Sequence, residues 1–245
     1  MDEARFEGRT VAISGAGQGL GAAVARMMIA RGARVFGGDL DGAALAATAR
    51  ALGEGFVAAA LDVTEEASIL AWREGVVSAA GGLDVLVTCA GIYPFEGTRA
   101  ITVAGWDRMF DVNCRGTFLT VRAFMDDIAG SDRGRIVMIA STDSYIPKPL
   151  YPHYAASKAA VRSLVQTFAL EMAPSGTLVN GVSPGAIAVE RAHRDGWLDR
   201  CVPRIPLGRV AQPDDIAEVV AFLASGANRF MTGETVIASG GEIMA

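Results

Sequence analysis

Histidine is almost missing from this chain of 245 residues, with only His153 and His193 present. That scarcity leaves no basis for a multi-histidine metal centre, and no metal is expected. Cysteine is also sparse and odd in number: Cys89, Cys114 and Cys201. No two of them form a C-x-x-C pair. Neither a disulfide framework nor a zinc site is therefore expected, and a reducing cytoplasm fits. Basic runs are absent and the net charge is −5, which argues against a nucleic-acid partner. No stretch is long and apolar enough to span a bilayer. The opening Met1-Asp2-Glu3-Ala4-Arg5 is acidic, so no signal peptide and no membrane partner are expected. Proline- or serine-rich linkers, repeats and low-complexity tracts are missing too. One domain over residues 1–245 is the simplest organisation.

What is present is a globular composition, 51% hydrophobic and 20% charged, on a chain long enough to bury a large core. Short β-rich runs alternate with helical patterns. Strands are expected near Thr10–Ser14, Arg34–Asp39, Gly55–Ala60, Leu83–Thr88, Gly134–Ala140, Thr177–Ser183 and Thr235–Ala238. Helices are expected near Gly19–Arg31, Gly42–Leu52, Glu65–Ala80, Val103–Ile128, Tyr151–Met172 and Asp214–Ala224. Strands such as Leu83-Asp84-Val85-Leu86-Val87 are mostly apolar rather than alternating, as in a parallel sheet covered on both faces. The pattern predicts α/β architecture: a three-layer, Rossmann-type doubly wound sandwich, with about seven parallel strands flanked by helices. All strand C-termini then share one edge, where ligands bind. The irregular stretch Gly185–Gln212, with Pro203 and Pro206, would overhang that edge and is a candidate substrate lid.

The first strand runs into Ser14-Gly15-Ala16-Gly17-Gln18-Gly19-Leu20-Gly21, and a helix follows. Glycines let the backbone approach a pyrophosphate, and the helix N-terminus offers unpaired N–H groups. Between a first strand and a first helix, this turn predicts dinucleotide binding. Asp39 closes the second strand, 18 residues after Gly21. A carboxylate there accepts hydrogen bonds from ribose hydroxyls and repels a 2′-phosphate. Gln18 and Leu40 supply no cation for such a phosphate. The expected cofactor is NAD(H) rather than NADP(H).

Tyr154 and Lys158 stand four apart at the start of a helical pattern and so share a face. An ammonium beside a phenol favours the phenolate, lowering a reference pKa of about 10. Such a phenol can exchange a proton with a carbinol oxygen. In order along the chain stand Gly15, Gly19 and Gly21, Asp62-Val63, Thr88-Cys89-Ala90-Gly91, Asn113, Ser141 at 13 residues before Tyr154, Tyr154-x-x-x-Lys158 and Pro184-Gly185. Taken together these motifs resemble the classical short-chain dehydrogenase/reductases from Arg9 to Gly241.

The resemblance implies an NAD-dependent oxidoreductase acting on a CH–OH group. It makes Tyr154 the general acid/base and Lys158 the group that lowers its pKa and holds the nicotinamide ribose. It makes Ser141 the oxyanion donor, and Asn113 the anchor of a water linking Lys158 to solvent. It implies that Asp62 and Val63 meet adenine, that Ala90, Gly91, Pro184 and Gly185 line the cofactor site, and that Ile187 presents backbone to the carboxamide. A homotetramer (or homodimer) is implied, built from the helices carrying Asn113 and Tyr154. Three positions depart from the family pattern: Ser14 replaces threonine, Thr88-Cys89 replaces two asparagines, and Val189 stands where a threonine is common.

Gly181-Val182-Ser183-Pro184-Gly185 also matches a hydrolase elbow, but Pro184 directly after the serine and the lack of an aspartate between Ser183 and His193 argue against it. A non-catalytic NAD-binding protein on the same fold is a second rival. Retention of Ser141, Tyr154, Lys158 and Asn113 argues against that one.

The substrate pocket is expected among Tyr93, Phe95, Asp143, Tyr145, Tyr151 and Trp197. That set points to a small aromatic, cyclic or otherwise hydrophobic secondary alcohol or ketone. Arg191, His193 and Arg194 in the lid are a candidate anion clamp, weighed against a solvated basic stretch. Gly91-Ile92-Tyr93-Pro94-Phe95 is similar to dehydrogenases of phenylethanol-like alcohols; pyridoxal dehydrogenase-like enzymes are a further group. A 3-oxoacyl-carrier-protein or polyketide reductase is the alternative, disfavoured by Asp39.

Overall fold

A computed structural model describes residues 5–146, 150–189 and 196–244 of the chain. Arg191, His193 and Arg194 lie outside the described residues. Seven strands form one sheet: β1 (Thr10–Ser14), β2 (Arg34–Asp39), β3 (Phe56–Ala60), β4 (Val85–Thr88), β5 (Arg135–Ile139), β6 (Leu178–Pro184) and β7 (Thr235–Ala238). Their order is β3-β2-β1-β4-β5-β6-β7, and every pairing is parallel. The expected fold is therefore observed.

Burial on both faces explains the apolar strands. Val11, Ile13, Val85, Val87 and Val137 enter a core shared with α1 (Gly19–Ala30) and α8 (Pro213–Ala224). Their neighbours Ala12, Leu86, Ile136 and Met138 enter a second core with α3 (Glu66–Ala80), α5 (Gly116–Ala129) and α6 (Pro152–Met172). Successive side chains of a strand point to opposite faces, so neither face tolerates a run of polar residues. α2 (Gly42–Leu52) follows β2 and begins at Asp41, whose carboxylate accepts from Ala43 and Ala44 N–H groups.

One expected helix is divided. The pattern over Val103–Ile128 resolves into α4 (Val103–Phe110), a π-helical turn at Asp111–Arg115, and α5. The turn carries Asn113, which is fully buried. Gly116 follows, and a Cβ there would lie 2.8 Å from the Val63 side chain. This packing sets the start of α5 directly against Val63, in the turn after β3. Residues inserted singly into a helix mark functional sites more often than chance.

Two helix starts shift by one residue for a common reason. α6 and α8 begin on Pro152 and Pro213, because proline's missing N–H and fixed φ suit the first helical position. The Gly185–Gln212 excursion is less irregular than expected. It holds α7 (Trp197–Cys201), and a parallel bridge joins Ile187 to Ala211 near its two ends. Ala186, Leu198, Cys201 and Ile205 form a small core of its own.

Candidate active site

Strand order reverses on the two sides of β1, whose neighbours are β2 and β4. Loops leaving β1 and β4 diverge there and open a crevice at the strand C-termini. The crevice is a cleft of about 530 Å³.

The glycine turn forms one wall. Gly15 has φ +73°, and a Cβ there would sit 2.6 Å from the Ala90 nitrogen. A Cβ on Gly21 would lie 2.0 Å from the Gly15 carbonyl oxygen, so neither position accepts a side chain. The Gln18 side chain does not cap α1. The first-turn N–H groups of Gly19, Leu20 and Gly21 therefore lack a side-chain acceptor, and these residues line the cleft. Asp39 is fixed beside them: Oδ2 accepts from Gly17 N–H at 2.8 Å and Oδ1 from Asp41 N–H at 2.9 Å. A backbone cradle with a helix N-terminus and a held carboxylate fits a pyrophosphate joined to a ribose. Asp62, Val63, Ala90, Gly91, Pro184, Gly185 and Ile187 line the same cleft, as do Gln18 and Leu40. Sequence reading missed Arg108 and Val112, which join the lining from α4 and the π turn. Val112 is Asn113's neighbour, so only the inserted turn reveals that it faces the ligand edge.

Ser141, Tyr154 and Lys158 converge in the other half of the cleft. Ser141 ends β5's extension, and its Oγ accepts from Asp143 N–H at 3.1 Å. The Ser141 hydroxyl lies on the Tyr154 side of the cleft and favours the ionised phenol. Lys158 reaches back from the next turn of α6, and its Nζ donates to the Ile139 carbonyl at 2.8 Å. Both groups are desolvated. Burial lowers the Lys158 ammonium to about 8. Burial pushes the Tyr154 phenol up, the opposite of the expected lowering, while Ser141 pulls it part of the way back. Lys158 Nζ is 5.9 Å from the Tyr154 ring centre. At that spacing, and without a further cation, loss of solvation outweighs the lysine's field.

Asn113 lies behind this group rather than on its surface. Its Nδ2 donates to the Ile92 carbonyl at 2.9 Å and to Ser157 Oγ at 3.1 Å, while Oδ1 accepts from Ile92 N–H at 2.8 Å. The side chain is thus committed to the loop after β4, which carries Gly91 and Tyr93. The departures are also located. Ser14 Oγ accepts weakly from Ala90 N–H at 3.5 Å. Val189 and Cys89 line the cleft, and burial raises the Cys89 thiol to about 12.

The aromatic residues divide. Tyr93, Phe95, Tyr151 and Trp197 line the cleft. Tyr145 does not: its phenol donates to the Thr235 carbonyl at 3.1 Å and Arg162 stacks on its ring, so it is turned away. Asp143 is also off the lining; it is buried, and its field helps raise the Tyr151 and Tyr154 phenols. Ser183 is buried inside β6, which leaves no exposed elbow for a hydrolase nucleophile.

A doubly wound sheet with this turn at its switch point defines a dinucleotide-binding α/β protein. Residues 15–242 match a family model described as enoyl-(acyl carrier protein) reductase. The chain is 34% identical over 239 residues to the 3-alpha-(or 20-beta)-hydroxysteroid dehydrogenase of Mycobacterium tuberculosis, covering 98% of this chain and 91% of that one. It is 35% identical over 254 residues to the mouse (3R)-3-hydroxyacyl-CoA dehydrogenase, covering 98% of each. The crystal structure of a short-chain dehydrogenase/reductase (glucose/ribitol dehydrogenase) from Brucella melitensis superposes with a TM-score of 0.94 at 34% identity, covering 98% of this chain and 99% of that one. The chain belongs to the classical short-chain dehydrogenase/reductase family, whose members are oxidoreductases that bind a nicotinamide cofactor.

Proposed function

We propose that this protein transfers a hydride between NAD(H) and a secondary alcohol or ketone with an aromatic, cyclic or otherwise hydrophobic body. One observation carries the reading. Ser141, Tyr154 and Lys158 line one cleft together, with the Ser141 hydroxyl favouring the Tyr154 phenolate, and that cleft also holds the glycine turn. Bound NAD⁺ would supply the hydride acceptor and a positive charge that favours the phenolate. Tyr154 takes the carbinol proton, and Ser141 holds the same oxygen as its charge changes. Lys158 adds a cation to the field around the phenol. Asn113 keeps Ile92, and with it the Gly91 wall, in place; its service to a relay water rests on the resemblance alone.

Asp39 supports NAD over NADP. Its oxygens are already oriented by two backbone donors, and a 2′-phosphate would meet a negative charge. A second reading, reduction of a 3-oxoacyl thioester, has support from the hydroxyacyl-CoA relative. We further infer a cytoplasmic enzyme, with which its three free cysteines agree, and a homotetramer (or homodimer) built from the helices carrying Asn113 and Tyr154. No helix among the described residues is long and apolar enough to cross a membrane.

A panel of aryl, cyclic and 3-hydroxyacyl alcohols, assayed with NAD⁺ and NADP⁺, tests the reading. Turnover of aryl or cyclic alcohols with the lower Michaelis constant for NAD⁺ is expected. Preference for NADP⁺ would overturn the Asp39 assignment, and turnover confined to the acyl thioester would favour the second reading. Tyr154→Phe is expected to bind NADH as the parent does and to lose about a thousandfold in turnover.

A further inference from the structure

We propose that His153, paired with Glu96, is a positioning residue for the substrate wall: the pair holds the loop after β4 against the start of α6 and so sets how well an alcohol is seated. The inference rests on the reading of the cleft as a site of hydride transfer, and it adds to that site a residue from behind the cleft lining.

His153 is an anomaly in the interior. It is fully buried in the first turn of α6, directly before Tyr154, and neither ring nitrogen has a hydrogen-bond partner among the described residues. Burying an imidazole without a bond is unfavourable, and buried polar groups are nearly always paired. One carboxylate approaches it: Glu96 Oε2 lies 4.0 Å from His153 Nε2. That is about 1 Å beyond a hydrogen bond. His153 is fixed by its helix, whereas the Glu96 side chain is 43% exposed and stands on a loop. A small swing of the glutamate completes the bond, and the imidazole can donate from Nε2 in either protonation state.

The loop between Gly91 and Thr102 carries Tyr93 and Phe95, which line the cleft. It forms no helix or strand, so its shape depends on ties to its neighbours. Near its start, Asn113 bonds both the N–H and the carbonyl of Ile92. Farther on, the Glu96 carbonyl accepts from Tyr151 N–H at 3.0 Å. The carboxylate of the same residue lies between α4 and α6: a Cβ on Gly105 would be 3.7 Å from Oε2, and His153 stands on the other side. Glu96 thus anchors the far end of the wall to the helix that carries Tyr154. Tyr93 and Phe95 stand between the two anchors, their ring centres 6.4 Å from Tyr154 and 5.1 Å from Tyr151. Slackening Glu96 widens the space beside the phenol and leaves Ser141, Tyr154 and Lys158 in place. The loss then falls on seating of the alcohol rather than on the proton and hydride steps.

The test compares His153→Phe, His153→Gln and Glu96→Ala with the parent. Alcohol oxidation is followed at saturating NAD⁺, and hydrogen exchange is read on the peptide covering the loop. Phenylalanine fills the buried space and cannot bond Glu96, whereas a glutamine amide can replace the Nε2 donor. In His153→Phe and Glu96→Ala, KM for the alcohol is expected to rise about tenfold, as for one lost hydrogen bond to a charged group, with kcat within about threefold. Loop exchange should quicken about threefold or more. The double variant should match the single ones, because each removes the same bond. His153→Gln should restore most of the parent's KM. Should His153→Phe not fold, Glu96→Ala carries the test, since its side chain is largely in water. If the parent oxidises alcohols and Glu96→Ala leaves KM or loop exchange unchanged, hydride transfer stands and the pairing falls. His153→Gln as impaired as His153→Phe also overturns it, because the shape of the ring and not its bond would then matter. If the parent oxidises no alcohol, the hydride reading falls and this one with it.

Discussion

Lys158 shows what the site costs at the scale of one residue. Its ammonium is buried with a single hydrogen bond, and desolvation lowers it from 10.5 to about 8. A shift of this size corresponds to roughly 3 kcal/mol against the charged form. Offsetting the lost bond to Ile139, at about 1 kcal/mol, Lys158→Met should gain roughly 2 kcal/mol near neutral pH. That is a rise in Tm of about 5 °C, measurable by calorimetry, together with loss of turnover. The pH dependence has a definite sign. Between about 8 and 10.5 the unfolded lysine binds a proton that the folded one does not. Lys158 therefore makes stability rise with pH across that window, and the Met variant should lose that slope. Titrating Tm against pH for both proteins checks it; parallel curves would contradict the assignment. The spacing of Tyr154 and Lys158 was legible in the sequence, and so was the turn around Gly15. The direction of the phenol's shift was not, because burial depends on what the fold stacks above α6. For the same reason Tyr145 read as a pocket residue: nothing local reveals that the Thr235 carbonyl lies within reach of its hydroxyl.

At the scale of elements, the glycine turn and the π turn set the cleft's two walls. Gly21 faces the Gly15 carbonyl so closely that any side chain must push α1 away from β1. Gly21→Ala should lower Tm by about 5–10 °C and weaken NADH binding at least tenfold, as read by calorimetry and by nucleotide titration. An unchanged affinity would show that α1 does not seat the cofactor. Strand and helix positions were readable because apolar runs and helical periodicity are local properties. The π turn was not, because one inserted residue leaves the apolar pattern of Val103–Ile128 almost unaltered. Its effect is visible only in space, where Asn113 is aimed at Ile92 from below. Loss of that reciprocal pair in Asn113→Ala should loosen the loop and raise the Michaelis constants for both NAD⁺ and alcohol severalfold.

For the whole molecule, strand order follows from the rules that govern parallel sheets, and it places both halves of the site on one edge. Legibility ends at the surface. Stacked Trp106 and Phe110 on α4, and Phe118 against Phe168 between α5 and α6, lie on the helices proposed for a subunit interface. Helices that bury a face against their own sheet look similar in sequence to helices that bury a second face against another copy. Sedimentation equilibrium is expected to give the tetramer's mass, and a monomer at micromolar concentration would exclude that interface.

In the proposed reaction, hydrogen moves directly from a carbinol carbon to the nicotinamide while Tyr154 takes the proton. The most direct measurement uses an aryl secondary alcohol deuterated at the carbinol carbon, incubated with NAD⁺ and the enzyme, with the NADH analysed by mass spectrometry. Deuterium in the NADH, formed by the parent and lost with Tyr154→Phe, is the predicted result. NADH carrying no deuterium would exclude direct hydride transfer, and equal transfer by the Phe variant would exclude Tyr154 as the acid/base.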